Sequence, residues 1–480
     1  MALPAVASAT TRYAAPGGTT NDTVCITPST PCTIGAAAGG PDVGAADEAV
    51  ILPGDYSDTA GDLNGDTGNP TDGIVQPIAG SVHGVDGEPR PSITVNGLDS
   101  MFPNPYGAFL LGDSTLSDVE IHAASDATSA FTLGAAGSIV DRVIATSSRD
   151  GSTTCGHWHG TIRDSVCLSS GTGGIGLGAS LAVAGTHAIN VRNVTAISTG
   201  SSSYGANYFF GTFSPPGPTY TISAKSLIAQ GTTQDVFVRA SNTGTSVTMT
   251  LDHSDYDTSI SQNIGGGTAS VTAPGAGTGN IIGAPILAAD GFHQVTGSPT
   301  INAGATDGNS GTTDIDGQYR TIDNTPDIGA DELAFPTSTT VDCTPGSLVI
   351  GSSAVQCAVT VTDTTSTPPV TFLSGVRLLS DMPGSFVGDC ETLFMATPTQ
   401  GTCTAPYTPT ATGLHTITAV YPGDANHDSS QDADTVNVTQ PGSPPGTGQL
   451  PANQAAKKKC KKRKHRAAAA KKKCKKKKRR

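Results

Sequence analysis

Few side chains in this sequence combine the type and the spacing that chemistry asks for. The densest group is CGHWHG at 155–160, which holds His157, His159 and Trp158, the single tryptophan of the chain. Two histidines at i and i+2 of a strand share a face and could offer nitrogens to one metal ion. No third ligand stands nearby in sequence, and a loop packed by Trp158 explains the cluster as well. An exposed indole would also stack on a sugar ring. In DLNGDTGNPTDG, Asp62, Asn64 and Asp66 alternate like the opening of a calcium loop, yet Thr67 and Gly73 stand where such a loop needs Gly and Glu. Turn formation competes there, as it does for Asp314 and Asp316 in TDIDG. Asp141 and Asp164 beside Arg142 and Arg163 are candidates for catalysis. Acids that gather Ca2+ next to a basic side chain suit proton abstraction beside a metal-polarised carboxylate. Neighbouring Asp and Arg on an extended chain point to opposite faces, however, so ion pairing between elements is the competing use. Tyr204, Tyr208, Phe209, Phe210, Phe213 and Tyr220 could rim a polysaccharide site or pack a long insertion.

What must position these residues is a repeat. LSDVEI (116–121), IVDRVI (139–144) and IRDSVC (162–167) begin 23 residues apart, and weaker versions follow at VRNVTA (191–196), ISAKSL (222–227) and MTLDHSDY (249–256). A short apolar run, a polar corner and a second run, at a period of about 20–25 residues, predict a solenoid of stacked β-coils. In this register Asp118, Asp141, Asp164 and Asn193 are equivalent. They predict a polar ladder at a turn, whose side chains either satisfy backbone N–H groups or draw in Ca2+.

Composition agrees with an all-β chain. Among 480 residues there are 59 Gly and 32 Pro, and charged residues reach 14%. Of 27 Lys and Arg, 17 fall between Lys457 and Arg480; the remaining 456 residues carry 10 basic and all 40 acidic groups, a net of −30. The body repels polyanions and the tail attracts them, so non-specific attachment to anionic polymers is expected, without specific nucleic-acid recognition. With its like charges the tail is expected to be disordered until bound. Eight body cysteines sit as near neighbours: Cys25 and Cys32, Cys155 and Cys167, Cys343 and Cys357, Cys390 and Cys403. That pattern predicts disulfides and an oxidising, extracellular or cell-surface location. The sequence has no apolar run long enough to span a membrane. Ala7-Ser8-Ala9 has the small-x-small form of a signal-peptidase site, which marks 1–10 as a signal remnant or disordered start.

The repeats resemble right-handed parallel β-helix proteins of the pectate-lyase-like superfamily. TRYAAPGGTTNDTVC (11–25) is similar to the entry strand of secreted bacterial β-helices. GSPTINAGATDGNSGTTDIDGQYRTIDNTPDIGADE (297–332) resembles the closing segment of the choice-of-anchor Q type, departing from it with Asp331 where an aromatic is usual. From Pro336 the pattern changes: Val355, Cys357, Val359 and Val361, then His415, Ile417, Ala419 and Tyr421, alternate as in half-buried antiparallel strands. AVYPGDANHDSS is similar to the late hairpin of bacterial immunoglobulin-like repeats of the Big-3 type. The expected organisation is therefore a β-helix at 11–334, an Ig-like sandwich at 335–439, a Pro/Gly linker at 440–456 and the basic tail at 457–480. The resemblance implies an extracellular β-helix and no particular activity; the function expected here is a monomeric protein that binds, adheres or displays toward polysaccharide or cell-envelope material. Its alternative is a lyase or epimerase acting on an acidic glycan, with Arg142, Arg163, Asp141 and Asp164 as its residues. Trp158, Tyr204 and Tyr208 are the carbohydrate-binding candidates, and Asp62, Asn64 and Asp66 the Ca2+ candidates.

Overall fold

The structure, a computed structural model, describes residues 9–66, 74–96, 107–124, 127, 129–180, 184–211, 217–322, 325–364, 371–388, 390–424 and 426–441. The basic tail, most of the linker, Phe213, Thr67, Gly73 and residues 1–8 lie outside this set.

Short apolar runs broken by polar corners build a parallel β-helix with three strands per coil. The coil that contains CGHWHG shows the plan. Ile139–Asp141 leads into a corner at Arg142, Ile144–Ser147 leaves it, Thr153–His157 forms the third side, and Gly160–Ser169 begins the next coil. Each strand pairs in parallel with its counterparts above and below. Alternate residues point into the lumen, where Leu116, Val140, Ile162, Val191 and Ala224 stack in register. A single coil cannot hide this apolar surface, and stacking hides it continuously.

The register corrects the expected ladder. Val140 faces Leu116, 24 residues back, and Ile162, 22 residues on, so the constant period of 23 is an average of two steps. The corner row is Asp118, Arg142, Asp164, Asn193, Ser226 and His253, all with left-handed backbone (φ +44 to +57°). Asp141 belongs one position earlier, beside Ser117 and Arg163. Asp and Asn tolerate the left-handed region better than most residues, which is why the corner reads as acidic in sequence.

Residues 186–231 hold no long loop among those described. The extra length becomes longer strands: Thr186–Ser198, Tyr204–Gly211 and Thr219–Gly231. Beyond Val271 the chain doubles back along the outside of the coils. Ala305 exchanges hydrogen bonds with Ser226, Asp307 meets Arg192, Thr313 meets Arg142, and the Ile315 carbonyl accepts from Arg90. Phe292, Ile315, Ala330 and Ile328 cover apolar side chains such as Val166 and Ile228 that would otherwise face water.

Residues 337–439 form two sheets around a separate core. All eight alternating residues from Val355 to Tyr421 named above point into it. Four disulfides join the cysteines as paired by proximity: Cys25–Cys32, Cys155–Cys167, Cys343–Cys357 and Cys390–Cys403. Cys155 and Cys167 link two sides of the helix in its core, where Cys155 pairs in register with Leu177 and Cys167 with Ala196.

Candidate functional site

The corner row is the first place to look for chemistry. Arg142 donates from Nε and one terminal nitrogen to both Asp118 oxygens, at 2.8 and 2.7 Å, and from the other to the Thr313 hydroxyl at 3.1 Å. Its second carboxylate neighbour, Asp141, is held more closely by Arg163, at 2.8 Å. Arg142 and Asp118 do line an open pocket of about 670 Å³ with Arg90 and Asp316, but every guanidinium nitrogen of Arg142 is committed. Asp164 is wholly buried beneath the returning segment, 2.8 Å from Arg320. Burial pushes its carboxyl up to about 6 despite that guanidinium. Arg192 and Lys225 both reach Asp307. Three of the four catalytic candidates, Arg142, Asp141 and Arg163, thus form a chain of ion pairs between coils, while Asp164 pairs with Arg320 instead, and these pairs occupy the free base that a lyase needs.

The other candidates are dispersed. Asp62 accepts N–H groups from Gly17 and Ser57, and Asp66 accepts from Gln76. Both carboxylates therefore satisfy backbone donors at turns, and Asn64 adds a buried amide oxygen without a hydrogen bond. Tyr208 is fully buried, stacked near Phe210, whose ring lies 3.6 Å from Tyr220; its ring is closed to a sugar because its strand turns that side chain into the lumen. Tyr204 is half-buried on the outer face against Phe237, and Trp158 packs partly exposed on the core. His157 faces Tyr208 at 3.2 Å and the Gly160 carbonyl at 3.3 Å, and burial lowers its pKa to about 3, so it is a neutral core histidine. His159 instead meets His187 edge to face, with ring centroids 4.5 Å apart. The two histidines serve separate neighbours.

The open surface that remains follows the corner-exit sheet. His122, Thr146, Leu168, Ile197 and Gln230 stack on five successive coils. Next to them runs a hydroxyl row of Ser148, Ser170, Thr199 and Thr232, all exposed. Two adjoining pockets of about 530 and 370 Å³ share Ile197 and Thr199 on this surface, walled on one side by Ala289, Asp290 and Gly291 and by Gly283. Successive rungs stand about 4.8 Å apart, so the trough repeats along the helix axis.

One end of the trough is acidic. Asp235 spends both oxygens on backbone N–H groups of Gly231, Asp257 and Thr258. Asp257 accepts from Gly283 and stays exposed. Asp255 is 2% exposed, and its Oδ2 has no hydrogen-bond partner. Burial, with Asp257 and Asp235 nearby, pushes its carboxyl up to about 7. Neither Lys nor Arg lines either pocket. Sequence reasoning missed Asp255, although the alternation Asp255-Tyr256-Asp257 directly after MTLDHS was its visible signal.

The sequence matches no protein-family model and none of the curated proteins. Among solved structures, the crystal structure of pectate lyase Pel9A is similar over 68% of this chain and 97% of its own, with 12% identity and a TM-score of 0.31. A likeness of that degree speaks to neither substrate nor mechanism.

Proposed function

We propose that this is an exported β-helix protein that binds a neutral polysaccharide along the trough on the corner-exit sheet. The observation that carries the proposal is the repetition of the exposed hydroxyl side chains Ser148, Ser170, Thr199 and Thr232 at one strand spacing over successive coils, in a surface open along the helix axis. A polymer with a regular repeat can meet such a surface several times, and weak contacts then add. Absence of basic lining residues, together with a body of net charge −30, disfavours an acidic glycan. The four disulfides support maturation in an oxidising, extracytoplasmic compartment. In this reading 11–334 is a choice-of-anchor Q type β-helix and 335–439 a bacterial Ig-like spacer of the Big-3 type. The tail, 457–480, attaches electrostatically to anionic envelope polymers.

Affinity electrophoresis through gels cast with neutral polysaccharides tests the binding claim. The wild type is expected to be retarded, and Thr199→Tyr/Thr232→Tyr, which fills the trough, to migrate freely with an unchanged melting temperature. Equal retardation of both proteins, or none of the wild type by any neutral glycan, removes the proposal.

A second reading, hydrolysis, draws support from Asp255. A carboxyl protonated up to about pH 7 beside the exposed Asp257 is suited to protonate a leaving oxygen while the other group acts as base or nucleophile. Release of reducing ends that Asp255→Asn abolishes would establish it. The lyase alternative is addressed by the ultraviolet absorbance of unsaturated products, and with Arg142 and Arg163 ion-paired none is expected.

A further inference from the structure

The returning segment brings together three side chains from separate runs of chain: His293, Asp316 and Asp331. One ligand atom from each lies within 4.8 Å of the other two. We propose that these three residues bind a divalent transition-metal ion of the Zn2+ class and so fasten the returning segment to itself. The proposal is independent of the glycan reading.

Three features make this a built site. His293 Nδ1 stands 2.5 Å from an oxygen of Asp290, which turns Nε2 toward Asp316, at 2.8 Å. A carboxylate on the far nitrogen of a histidine is the usual means of fixing ring orientation and basicity for a metal. Asp290 is itself fixed by the N–H groups of Phe292 and His293. Asp314, fully buried, then sets the other two ligands. Its Oδ1 accepts from the N–H of Asp316 and its Oδ2 from that of Glu332, next to Asp331.

The third feature is charge. Asp331 is 4% exposed, and one of its oxygens accepts the Gln294 N–H. It has no ion-pair partner among the described residues. The nearby guanidinium of Arg320 is committed to Asp164, Glu332 and the carbonyls of Gly329 and Ala330. Around His293 stand Asp290, Asp316, Asp331 and, behind them, Asp314. One imidazolium leaves Asp290 and Asp316 one positive charge short, and the buried Asp331 has no cation in direct contact among the described residues. A dication on a neutral imidazole supplies one charge more than the imidazolium does.

Donor type selects the ion. One imidazole nitrogen with two carboxylate oxygens suits Zn2+ or its neighbours, whereas Ca2+ prefers six to eight oxygens. With bonds of about 2.0–2.1 Å, ligand atoms on a tetrahedral ion stand about 3.4 Å apart. To reach that spacing His293 Nε2 and Asp316 must part by about 0.6 Å from 2.8 Å, and the wider separations, which reach at most 4.8 Å, must shorten, both of which side-chain rotation provides.

The test uses the full chain, stripped with chelator and titrated with Zn2+ by calorimetry and thermal melting. Cys460, His465 and Cys474 of the tail offer other ligands, so the readout is the difference between wild type and variants. Wild type is expected to bind one equivalent more than His293→Ala or Asp316→Asn, and to gain melting temperature that both variants fail to gain. Asp316 is exposed, so its variant folds irrespective of the outcome for His293. Asp290→Asn is expected to retain the site with about 10–100-fold weaker affinity. Equal stoichiometry and equal melting shifts in wild type and both variants, or no Zn2+-dependent shift in wild type, would overturn the proposal.

Discussion

Asp255 shows how one side chain can carry information that its neighbours in sequence do not. Its carboxyl is buried beside two other aspartates, which raises it to about 7 from an ordinary value near 3.9. The folded chain therefore keeps a proton that the unfolded chain loses from about pH 4 upward. By linkage, this residue lowers stability progressively as pH rises between about 4 and 7, and changes nothing further above that. Asp255→Asn removes the titrating group. The variant is expected to unfold at higher denaturant than wild type at pH 7.5, with the difference vanishing near pH 4. Parallel pH profiles for the two proteins would show that Asp255 ionises normally. Arg142 carries a contrasting lesson: its left-handed backbone is unusual for a long side chain, and the bidentate pair with Asp118 offsets that cost.

At the scale of elements, the returning segment decides what the β-helix can present. It seals the corner row with Arg320, which is fully buried and paired with Asp164, and leaves the hydroxyl rows open. Removing one member of a buried pair strands the other, typically at about 3–5 kcal/mol. Arg320→Met is therefore expected to lower stability by that order and to expose residues 284–335 to protease first. Arg320→Met/Asp164→Asn is expected to recover part of the loss, because Asp164 is then no longer stranded as a charge, and only part, because Glu332 still loses its cation. If the double variant proves less stable than the single one, the pair is not the fastening. The corner acids were legible in the repeat, but their partners were not. Asp164 and Arg320 lie far apart in sequence, and nothing local to either one names the other.

At the scale of the whole molecule, charge separates body from tail. The acidic body disfavours polyanions and the tail favours them, so retention on a polyanionic column should depend on 457–480 alone. Deletion of those residues is expected to abolish retention, and moderate salt to release the intact chain. Retention of the truncated protein would place a basic surface elsewhere. The two cores, one of stacked coils and one between two sheets, also predict that the β-helix and the sandwich melt as separate units.

The sequence alone determined what short-range spacing can encode. Period, corner polarity, strand alternation near Val355 and Ile417, and cysteine proximity are all written within about one coil's length of chain, and each has a counterpart in the fold, the period as an average of unequal steps. Tertiary structure decided everything that depends on summing over coils. A step of 24 followed by one of 22 leaves the average period intact, yet moves Asp141 off the corner and puts Arg142 on it. Strand pairing fixes that register through many backbone hydrogen bonds together, so a plausible local alignment of IVDRVI cannot override it. Burial worked likewise. Tyr208 and Tyr204 are four residues apart in one strand, a spacing that regular alternation would put on one face, yet the alternation breaks between Tyr204 and Ala206, leaving Tyr208 in the core and Tyr204 half-buried against Phe237. His293, Asp316 and Asp331 meet because the chain returns along the coils, a path that follows from apolar area left uncovered rather than from any motif.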